Sequence, residues 1–220
     1  MVPGLPPLLH QALAACVIAL WLALTAAAAL SIRRRWPERQ EWSRKLVHVA
    51  SGAVPLLAWW LGIERWLALG AAAAVTLVTA GNHRWRWLPA IEDVGRNSYG
   101  TVAYGAAITT LVWLYWPQRA DLVCTSVLVM ALGDGLAGLL GAAANSPGWS
   151  VLGQRKSLLG TATMLLTSGL AIWSLQAANL SLPQIAAVAL MATLMEQLAW
   201  GGIDNLTVPL GTALLLQRLQ

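Results

Sequence analysis

Long apolar segments separated by short polar connections follow one another along the whole chain. Segments of roughly 17–25 apolar residues match a helix that crosses a hydrocarbon core about 30 Å thick. The pattern therefore predicts an all-α fold, a polytopic membrane helix bundle of about 7–8 transmembrane helices. The predicted spans are about 8–30, 46–62, 66–80, 99–116, 122–144, 157–175, 183–200 and a short one near 206–216.

The composition supports a membrane protein. Of the 220 residues, 58% are hydrophobic and 10% are charged, whereas a soluble domain carries about 25% charged residues. The net charge of +5 does not indicate nucleic-acid binding, because the basic residues lie in short loops between spans. Cys16 and Cys124 both lie in apolar spans, which argues against a disulfide framework or a CxxC metal site.

The basic residues also predict how the chain is oriented in the membrane. Eleven of the 14 Lys and Arg residues lie in the connections 31–45, 81–98 and 145–156, and the alternate connections hold three. The positive-inside rule places the first set in the cytoplasm and both termini outside. No Lys or Arg precedes the first span, so we interpret it as an anchor rather than a signal peptide.

The composition predicts one compact membrane domain, and the arrangement of charges predicts its location. The start of the chain does not resemble a Ser- and Arg-rich transit segment. A bacterial inner membrane, or a thylakoid-type membrane, with a site facing the cytoplasm is therefore expected.

Two carboxylates interrupt apolar spans at similar depths. At 1.5 Å per residue, Asp134 lies about 18 Å into its helix and Glu196 about 20 Å into another. An unpaired charge at a helix centre costs roughly 2.5–3.5 kcal/mol on insertion scales. Both side chains should therefore face the bundle interior or a water-filled cavity, and Gly133 beside Asp134 allows another group to approach closely.

Other polar residues fall at the same predicted end of the bundle. They are His48 after Arg44-Lys45, the stretch 96–99, Lys156-Ser157 and Asp204-Asn205. Cationic side chains and helix N-termini bind phosphate groups, and Mg²⁺ combines one or two carboxylates with phosphate oxygens. The set of residues therefore predicts phosphoryl or nucleotidyl transfer. The chain contains no GxxxxGK[ST] sequence, so it does not resemble a P-loop enzyme.

Structural interpretations of the same residues stay open at this point. Gly133-Asp134-Gly135 is also typical of a helix–helix contact with a structural Asp. Arg155-Lys156 and Arg44-Lys45 are also typical topology determinants, and His48 is as compatible with packing or capping as with catalysis. The prediction depends on the shared side and depth of these residues.

The assembled motifs resemble those of the CTP-dependent polyprenol kinase family, which includes dolichol kinase, phytol kinase and a CTP-using diacylglycerol kinase. This family is distantly related to phosphatidate cytidylyltransferase. Its CTP-binding pattern is similar to Asp134, Ala137, Gly141, Arg155, Lys156, Ser157 and Gly160, with Arg155 where the family often has Lys. Three further stretches are similar: RKLVH at 44–48, RNSYGTVAYG at 96–105 and GGIDNLTVPL at 201–210.

The resemblance leaves the first span outside it and so implies an N-terminal anchor with a basic cytoplasmic loop at 1–43 and a membrane catalytic domain at 44–220. It also implies transfer of the CTP γ-phosphoryl group to an isoprenoid alcohol, with phytol first, and Mg²⁺ as cofactor. It implies that Asp134 and Asp204 bind the metal and that Glu196 or His48 accepts the alcohol proton. Lys156 would act on the phosphates. The implied nucleotide-binding residues are Gly133, Asp134, Ala137, Gly141, Arg155, Lys156, Ser157, Gly160 and Asn205.

Three alternatives remain beside phytol phosphorylation. Dolichol and diacylglycerol are acceptors within the same family. Phosphatidate cytidylyl transfer is a different reaction, although residues 200–205, WGGIDN, match its signature incompletely. A small membrane transporter whose acidic residues line a solute path is the alternative that is not an enzyme.

Overall fold

The computed structural model of the chain describes residues 6–85 and 99–220. Its helices are α1 (Pro7–Arg35), α2 (Gln40–Gly52), α3 (Val54–Trp60), α4 (Arg65–Trp85), α5 (Gly100–Tyr115), α6 (Ala120–Ala143), α7 (Leu158–Gln176), α8 (Leu182–Gln197) and α9 (Asp204–Leu219). A 3-10 turn at Pro37–Arg39 joins α1 to α2. The predicted all-α class is confirmed. Arg86, Arg96 and the stretch 96–98 lie outside the described residues.

Three of the described helices, α1, α6 and α7, are long and apolar enough to cross a hydrocarbon core. Helix α5 is apolar but has 16 residues. These helices indicate a membrane protein, while the total of seven or eight spans stays a prediction. The division at residue 43 also stays a prediction, although α1 packs on α2, where the Trp21 indole donates to the Ala50 carbonyl at 2.9 Å.

Helix α6 forms the centre of the bundle. Its side chains from Leu122 to Val127 are buried, and α2, α5, α7 and α9 pack around it. Small residues allow this close packing, as they do in membrane helix pairs. A Cβ on Gly52 of α2 would lie 2.2 Å from the Ala131 Cβ, and one on Gly135 would lie 2.4 Å from a Val49 methyl.

The segment expected as one span at 46–62 is not one continuous helix, because the structure divides it into α2 and α3. The break lies at Ala53, two residues before Pro55. Proline lacks a backbone N–H and restricts the residue before it, so it favours the first turn of a new helix. Helix α2 also begins at Gln40, which brings Arg44 and Lys45 into a helix.

The connection expected as a loop at 145–156 contains a β-hairpin. Strands β1 (Gly148–Val151) and β2 (Gln154–Ser157) pair antiparallel, with Trp149 opposite Lys156. The two turn residues, Leu152 and Gly153, have φ of 49° and 77°, as a two-residue hairpin turn of type I′ requires. The hairpin leads directly into α7 and so fixes the approach of Lys156 to the bundle.

Hydrogen bonds join the connections that hold few Lys and Arg residues, and these connections lie at one end of the bundle. The bonds that join them are His10 to Leu61, Gln11 to Gly62, Trp116 to Ile63 and Gln220 to Gln176. A cavity of about 430 Å³ at this end is lined in part by Asp121, whose carboxylate already pairs with Arg119. The hairpin and the polar residues singled out in the sequence lie at the other end.

Candidate active site

Lys45 and Asp134 form a buried ion pair between α2 and α6. The Lys45 ammonium lies 2.7 Å from Asp134 Oδ2 and also donates to the Asp134 backbone carbonyl at 3.0 Å. The Lys45 side chain is 7% exposed and that of Asp134 18% exposed. Asp134 therefore faces the interior, as predicted, and one of its oxygens is bound by a cation.

His48 lies one turn after Lys45 on the same face of α2, as residues three apart do. Its Nε2 is 3.5 Å from Asp134 Oδ2, and its ring packs on Tyr104 with centroids 4.6 Å apart. Among the described residues, neither His48 Nε2 nor the Tyr104 hydroxyl has a hydrogen-bond partner. His48 therefore presents a buried ring nitrogen next to the Asp134 carboxylate.

Lys156 and Glu196 form a second buried ion pair, between β2 and α8. The Lys156 ammonium contacts Glu196 Oε1 and donates to the Glu196 backbone carbonyl at 3.0 Å. The other carboxylate oxygen accepts from Gln197 Nε2 at 2.9 Å, and Gln197 also donates to Thr161 at 3.0 Å. Both oxygens of Glu196 are thus engaged by side chains of this structure.

Asp204 and Asn205 begin α9 after a tight turn. Gly201 and Gly202 have φ of 63° and 88°, a left-handed conformation that favours glycine. Asp204 Oδ1 and Asn205 Oδ1 are buried, and neither has a hydrogen-bond partner in the described part of the chain. The turn is therefore followed by two buried side-chain oxygens that have no donor among the described residues.

The charges of the predicted site residues act on Asp204. Burial, followed by the negative charge of Asp134, raises the pKa of Asp204 to about 6; Lys156 and the backbone amide of Asn205 lower it, and Glu196 raises it. Asp134, Lys156, Glu196 and Asp204 therefore lie at the same end of the bundle, within electrostatic range of one another.

Four small residues of the motif that is similar to the family's CTP-binding pattern form the crossing of α6 and α7. They are Ala137, Gly141, Ser157 and Gly160. A Cβ on Gly141 would lie 2.8 Å from Ser157 Oγ and 3.3 Å from Gly160 Cα, and one on Gly160 would lie 3.2 Å from the Ala137 carbonyl. Gly133 lies elsewhere, against Met164 of α7, where an added Cβ would lie 2.4 Å from the Met164 sulfur. These glycines allow close backbone approach, whether or not they also bind a nucleotide.

The N-terminus of α7 is already capped. The amides of Leu158, Leu159 and Gly160 donate to the Pro147 carbonyl at 2.9 Å, Ser146 Oγ at 3.1 Å and Ser157 Oγ at 3.2 Å. A phosphate that binds these amides would have to replace those acceptors. The roles of Ser157 and Gly160 in nucleotide binding therefore stay predictions.

Arg155 and Lys156 point to opposite faces of the hairpin, because adjacent strand residues alternate. Lys156 reaches Glu196 and is mostly buried, whereas Arg155 is exposed and its Nε lies 3.6 Å from the Cβ position of Gly148. The two cations therefore do not occupy equivalent places. A phosphate contact by Arg155 stays a prediction.

Two residues contact the predicted carboxylates although the sequence pattern does not assign them to the site. They are Lys45, on Asp134, and Gln197, on Glu196. The spacing of Lys45 and His48, three residues apart, is a signal that both share a helix face. For Gln197 the sequence holds no comparable signal.

Asp204 is the residue whose surroundings are compatible with a metal ligand. Within residues 6–85 and 99–220, no group of three Asp, Glu, His or Cys side chains could hold a metal ion alone. Asp204 Oδ1 has no donor in that part of the chain, and the charge of Asp134 acts on Asp204. Mg²⁺ commonly takes one or two carboxylates and fills its remaining positions with phosphate oxygens and water.

A comparison with known proteins finds a relative that is similar along most of its length. The chain is 38% identical over 181 residues to a phytol kinase from Synechocystis sp.. The alignment covers 80% of this chain and 78% of that protein. No protein-family model matches the chain, and no solved structure matches it.

Proposed function

Since the chain belongs to the polyprenol and phytol kinase family, we propose that it transfers the γ-phosphoryl group of CTP to an isoprenoid alcohol, most specifically phytol. The alcohol oxygen forms a bond to the γ-phosphorus, the bond to the β-phosphate oxygen breaks, and the hydroxyl proton leaves. The products are a phosphorylated alcohol and CDP. The observation that carries the proposal is the identity to a phytol kinase over 80% of the chain.

The arrangement of charges supports phosphoryl transfer, which depends mainly on positioning and charge neutralisation. We assign Asp134 and Asp204 to Mg²⁺, which neutralises phosphate charge when it is bound. Lys156 uses two of its three N–H groups on Glu196, and the third is available for a phosphate oxygen. Arg155, at the edge of the hairpin, is assigned to the outer phosphates.

The nucleotide-binding surface would continue from these charges to the helix crossing. We assign to it Ala137, Gly141, Ser157, Gly160 and Asn205, and also Gly133, although Gly133 lies outside the crossing and against Met164. The crossing of α6 and α7 has one backbone atom, Gly160 Cα, 3.3 Å from the Gly141 Cβ position, which leaves no room for larger side chains. Asn205 contributes a buried carbonyl oxygen that lacks a donor among the described residues.

His48 is a better candidate than Glu196 for accepting the alcohol proton. Both oxygens of Glu196 are engaged, by Lys156 and by Gln197. His48 Nε2 is buried without a hydrogen-bond partner in the described chain and lies 3.5 Å from Asp134 Oδ2. A general base must have such an available acceptor within reach of the proton that it removes.

The proposal includes a multi-pass membrane protein whose site faces the cytoplasm. The basic connections 31–45 and 145–156 lie at the end that carries both buried ion pairs, and the positive-inside rule assigns this end to the cytoplasm. A water-soluble nucleotide reaches the site from that side. The apolar tail of the alcohol stays among lipid chains between the helices.

The test is product analysis with purified protein, phytol, Mg²⁺ and CTP labelled at the γ-phosphate. We expect labelled phytyl phosphate and CDP, and loss of more than 99% of turnover in Asp134→Asn and Lys156→Ala. Asp121→Asn is a matched control, because it makes the same change in α6 at the opposite end of the bundle and should keep activity. Dolichol, diacylglycerol, UTP and ATP define the preferred acceptor and donor.

The same assay separates the other functions. Pyrophosphate and a CDP-lipid from phosphatidate would replace the proposal with cytidylyl transfer. Solute or proton flux without nucleotide, together with no binding of CTP, would replace it with transport. Wild-type turnover in both Asp134→Asn and Lys156→Ala would show that the site is assigned to the wrong residues.

A further inference from the structure

Lys45 is held in place by two acceptors of a single residue. Its ammonium donates to the carboxylate and to the backbone carbonyl of Asp134, at 2.7 and 3.0 Å. It reaches them from α2, which lies 89 positions away in sequence. A buried lysine bound in this way is part of the site and differs from a solvated cation that determines topology.

Gly138 provides the space for the Lys45 ammonium. A Cβ at this position would lie 2.8 Å from Lys45 Cε and 2.9 Å from Lys45 Nζ. Gly138 is one turn after Asp134 on α6, so the two residues form one side of a slot for the lysine. The slot directs the cation to Asp134 Oδ2 and to no other carboxylate that the structure describes.

The neighbouring cation behaves differently. Arg44 pairs with Glu41 on the same helix, at 2.7 Å, and both side chains are more than a third exposed. Water screens the exposed pair, and Arg44 acts on the charge of Asp134 less than Lys45 does. Lys45 is therefore the lysine or arginine that contacts the Asp134 carboxylate in the described chain.

We propose that Lys45 is a positioning residue that withholds Asp134 from free divalent cations, so that the metal enters the site together with nucleotide phosphates. The inference rests on the proposed function, in which Asp134 binds Mg²⁺. With its ammonium in place, Lys45 occupies one carboxylate oxygen and offsets the negative charge that would attract a bare cation. A triphosphate restores negative charge to the site, and the third N–H of Lys45 is available to one of its oxygens.

The test measures binding of Mn²⁺ alone, by electron paramagnetic resonance on the purified full chain without nucleotide. We expect Lys45→Met to increase the affinity for Mn²⁺ at least tenfold, because the carboxylate loses its internal cation. The increase should disappear in Lys45→Met combined with Asp134→Asn. Arg44→Met is the matched control, removes a cation from the adjacent position, and should change the affinity less than twofold.

Two further variants separate position from charge. Gly138→Ala keeps the lysine but displaces its ammonium, and we expect an intermediate increase in Mn²⁺ affinity of about threefold. Gly70→Ala is its control, because nothing lies within 4 Å of a Cβ there.

Lys45→Arg keeps the charge and should hold Mn²⁺ affinity near that of the wild type while kcat falls. Gly138→Ala also provides the test if Lys45→Met fails to fold.

Unchanged or weaker Mn²⁺ binding in folded Lys45→Met and Gly138→Ala would overturn the inference, since a merely structural lysine predicts that result. Equal gains in Arg44→Met would also overturn it, because the effect would then be nonspecific. The Mn²⁺ measurements use neither phytol nor CTP; only the kcat of Lys45→Arg requires them. Failure of the wild type to phosphorylate phytol would therefore reject the proposed function and leave the role of Lys45 to be decided by Mn²⁺ binding.

Discussion

The ammonium of Lys156 donates to both the backbone carbonyl and the carboxylate of Glu196, 40 residues further along the chain. The two side chains are 10% and 9% exposed. This pair joins the β-hairpin to the C-terminal end of α8. It therefore determines where the hairpin lies relative to the remaining carboxylates.

Removing one member of this pair should destabilise the protein more than removing both. Lys156→Met leaves the Glu196 carboxylate buried without its cation, and breaking a buried pair in this way costs about 3–5 kcal/mol. Lys156→Met combined with Glu196→Gln removes both charges and should recover most of the lost free energy of unfolding. Denaturant unfolding in detergent measures the stability of each variant.

Activity should not follow stability in this series. The double variant lacks the cation assigned to the phosphates, so we expect no phosphoryl transfer from CTP although the protein is folded. Equal stability loss in the single and double variants would contradict the buried-pair interpretation. Wild-type turnover in the double variant would instead contradict the assignment of Lys156 to phosphate.

The raised pKa of Asp204 predicts how stability depends on pH in metal-free protein. Its pKa is about 6 in the folded chain and about 3.9 in an unfolded chain. Between these values the folded state binds more protons, so the free energy of unfolding falls as pH rises from about 4 to about 6. Asp204→Asn cannot ionise and should remove this slope, so that at pH 7 it is more stable than the wild type by roughly 1–2 kcal/mol.

The measurement is thermal unfolding of both proteins in EDTA across pH 4–8. Parallel profiles for wild type and Asp204→Asn would show that Asp204 is not the group responsible. Asp204→Asn should also be inactive, because an amide is a poor ligand for the metal assigned to it. A variant that gains stability and loses activity would identify Asp204 as a residue kept for function.

Ser157 has a structural role that must be separated from its predicted role in nucleotide binding. Its hydroxyl accepts from the Gly160 amide at 3.2 Å, and loss of such a helix cap costs about 1 kcal/mol. Ser157→Ala should therefore lower stability by that amount, whereas Ser157→Thr keeps the cap. Ser146→Ala is the control, because Ser146 caps the neighbouring Leu159 amide at 3.1 Å and carries no predicted nucleotide contact.

The KM for CTP then decides the second role of Ser157. If its hydroxyl contacts a phosphate, Ser157→Ala should raise the KM at least fivefold while Ser146→Ala leaves it within twofold of the wild type. Similar KM values in both variants would restrict Ser157 to capping.

Much of the site could be predicted because its residues lie on regular helices. Counting 1.5 Å per residue placed Asp134 and Glu196 at similar depth, and the charge of each affects Asp204 in the structure. The long apolar segments likewise predicted both ends of α6 and of α7 to within two residues. Regular geometry makes depth along a helix readable from a sequence alone.

The partners of these carboxylates could not be predicted, because they come from distant segments. Lys45 is 89 residues from Asp134, and its helix begins earlier than the apolar pattern indicated. The break at Ala53 depends on Pro55, and the hairpin at 148–157 depends on two residues with positive φ. Gly133 shows a different limit, since a glycine beside an Asp gives no sign that it packs on Met164.

The crossing of α6 and α7 should tolerate no side chain larger than hydrogen at position 141. A Cβ there would lie 2.8 Å from Ser157 Oγ and 3.3 Å from Gly160 Cα, so the two helices would have to separate. Overpacking of this kind costs roughly 1–3 kcal/mol. Gly141→Ala should therefore lower the unfolding temperature and, by moving the hairpin away from α8, reduce activity by at least tenfold.

The matched control is again a glycine within a helix. Gly70 of α4 has nothing within 4 Å of its Cβ position, and replacing a helical glycine by alanine in open space stabilises a protein by about 0.5–1 kcal/mol. Gly70→Ala should raise the unfolding temperature and leave turnover unchanged. Opposite shifts in the two variants would establish that the contact between α6 and α7, and not the general preference of helices for alanine, determines the effect at position 141. Equal shifts in the same direction would contradict the close crossing.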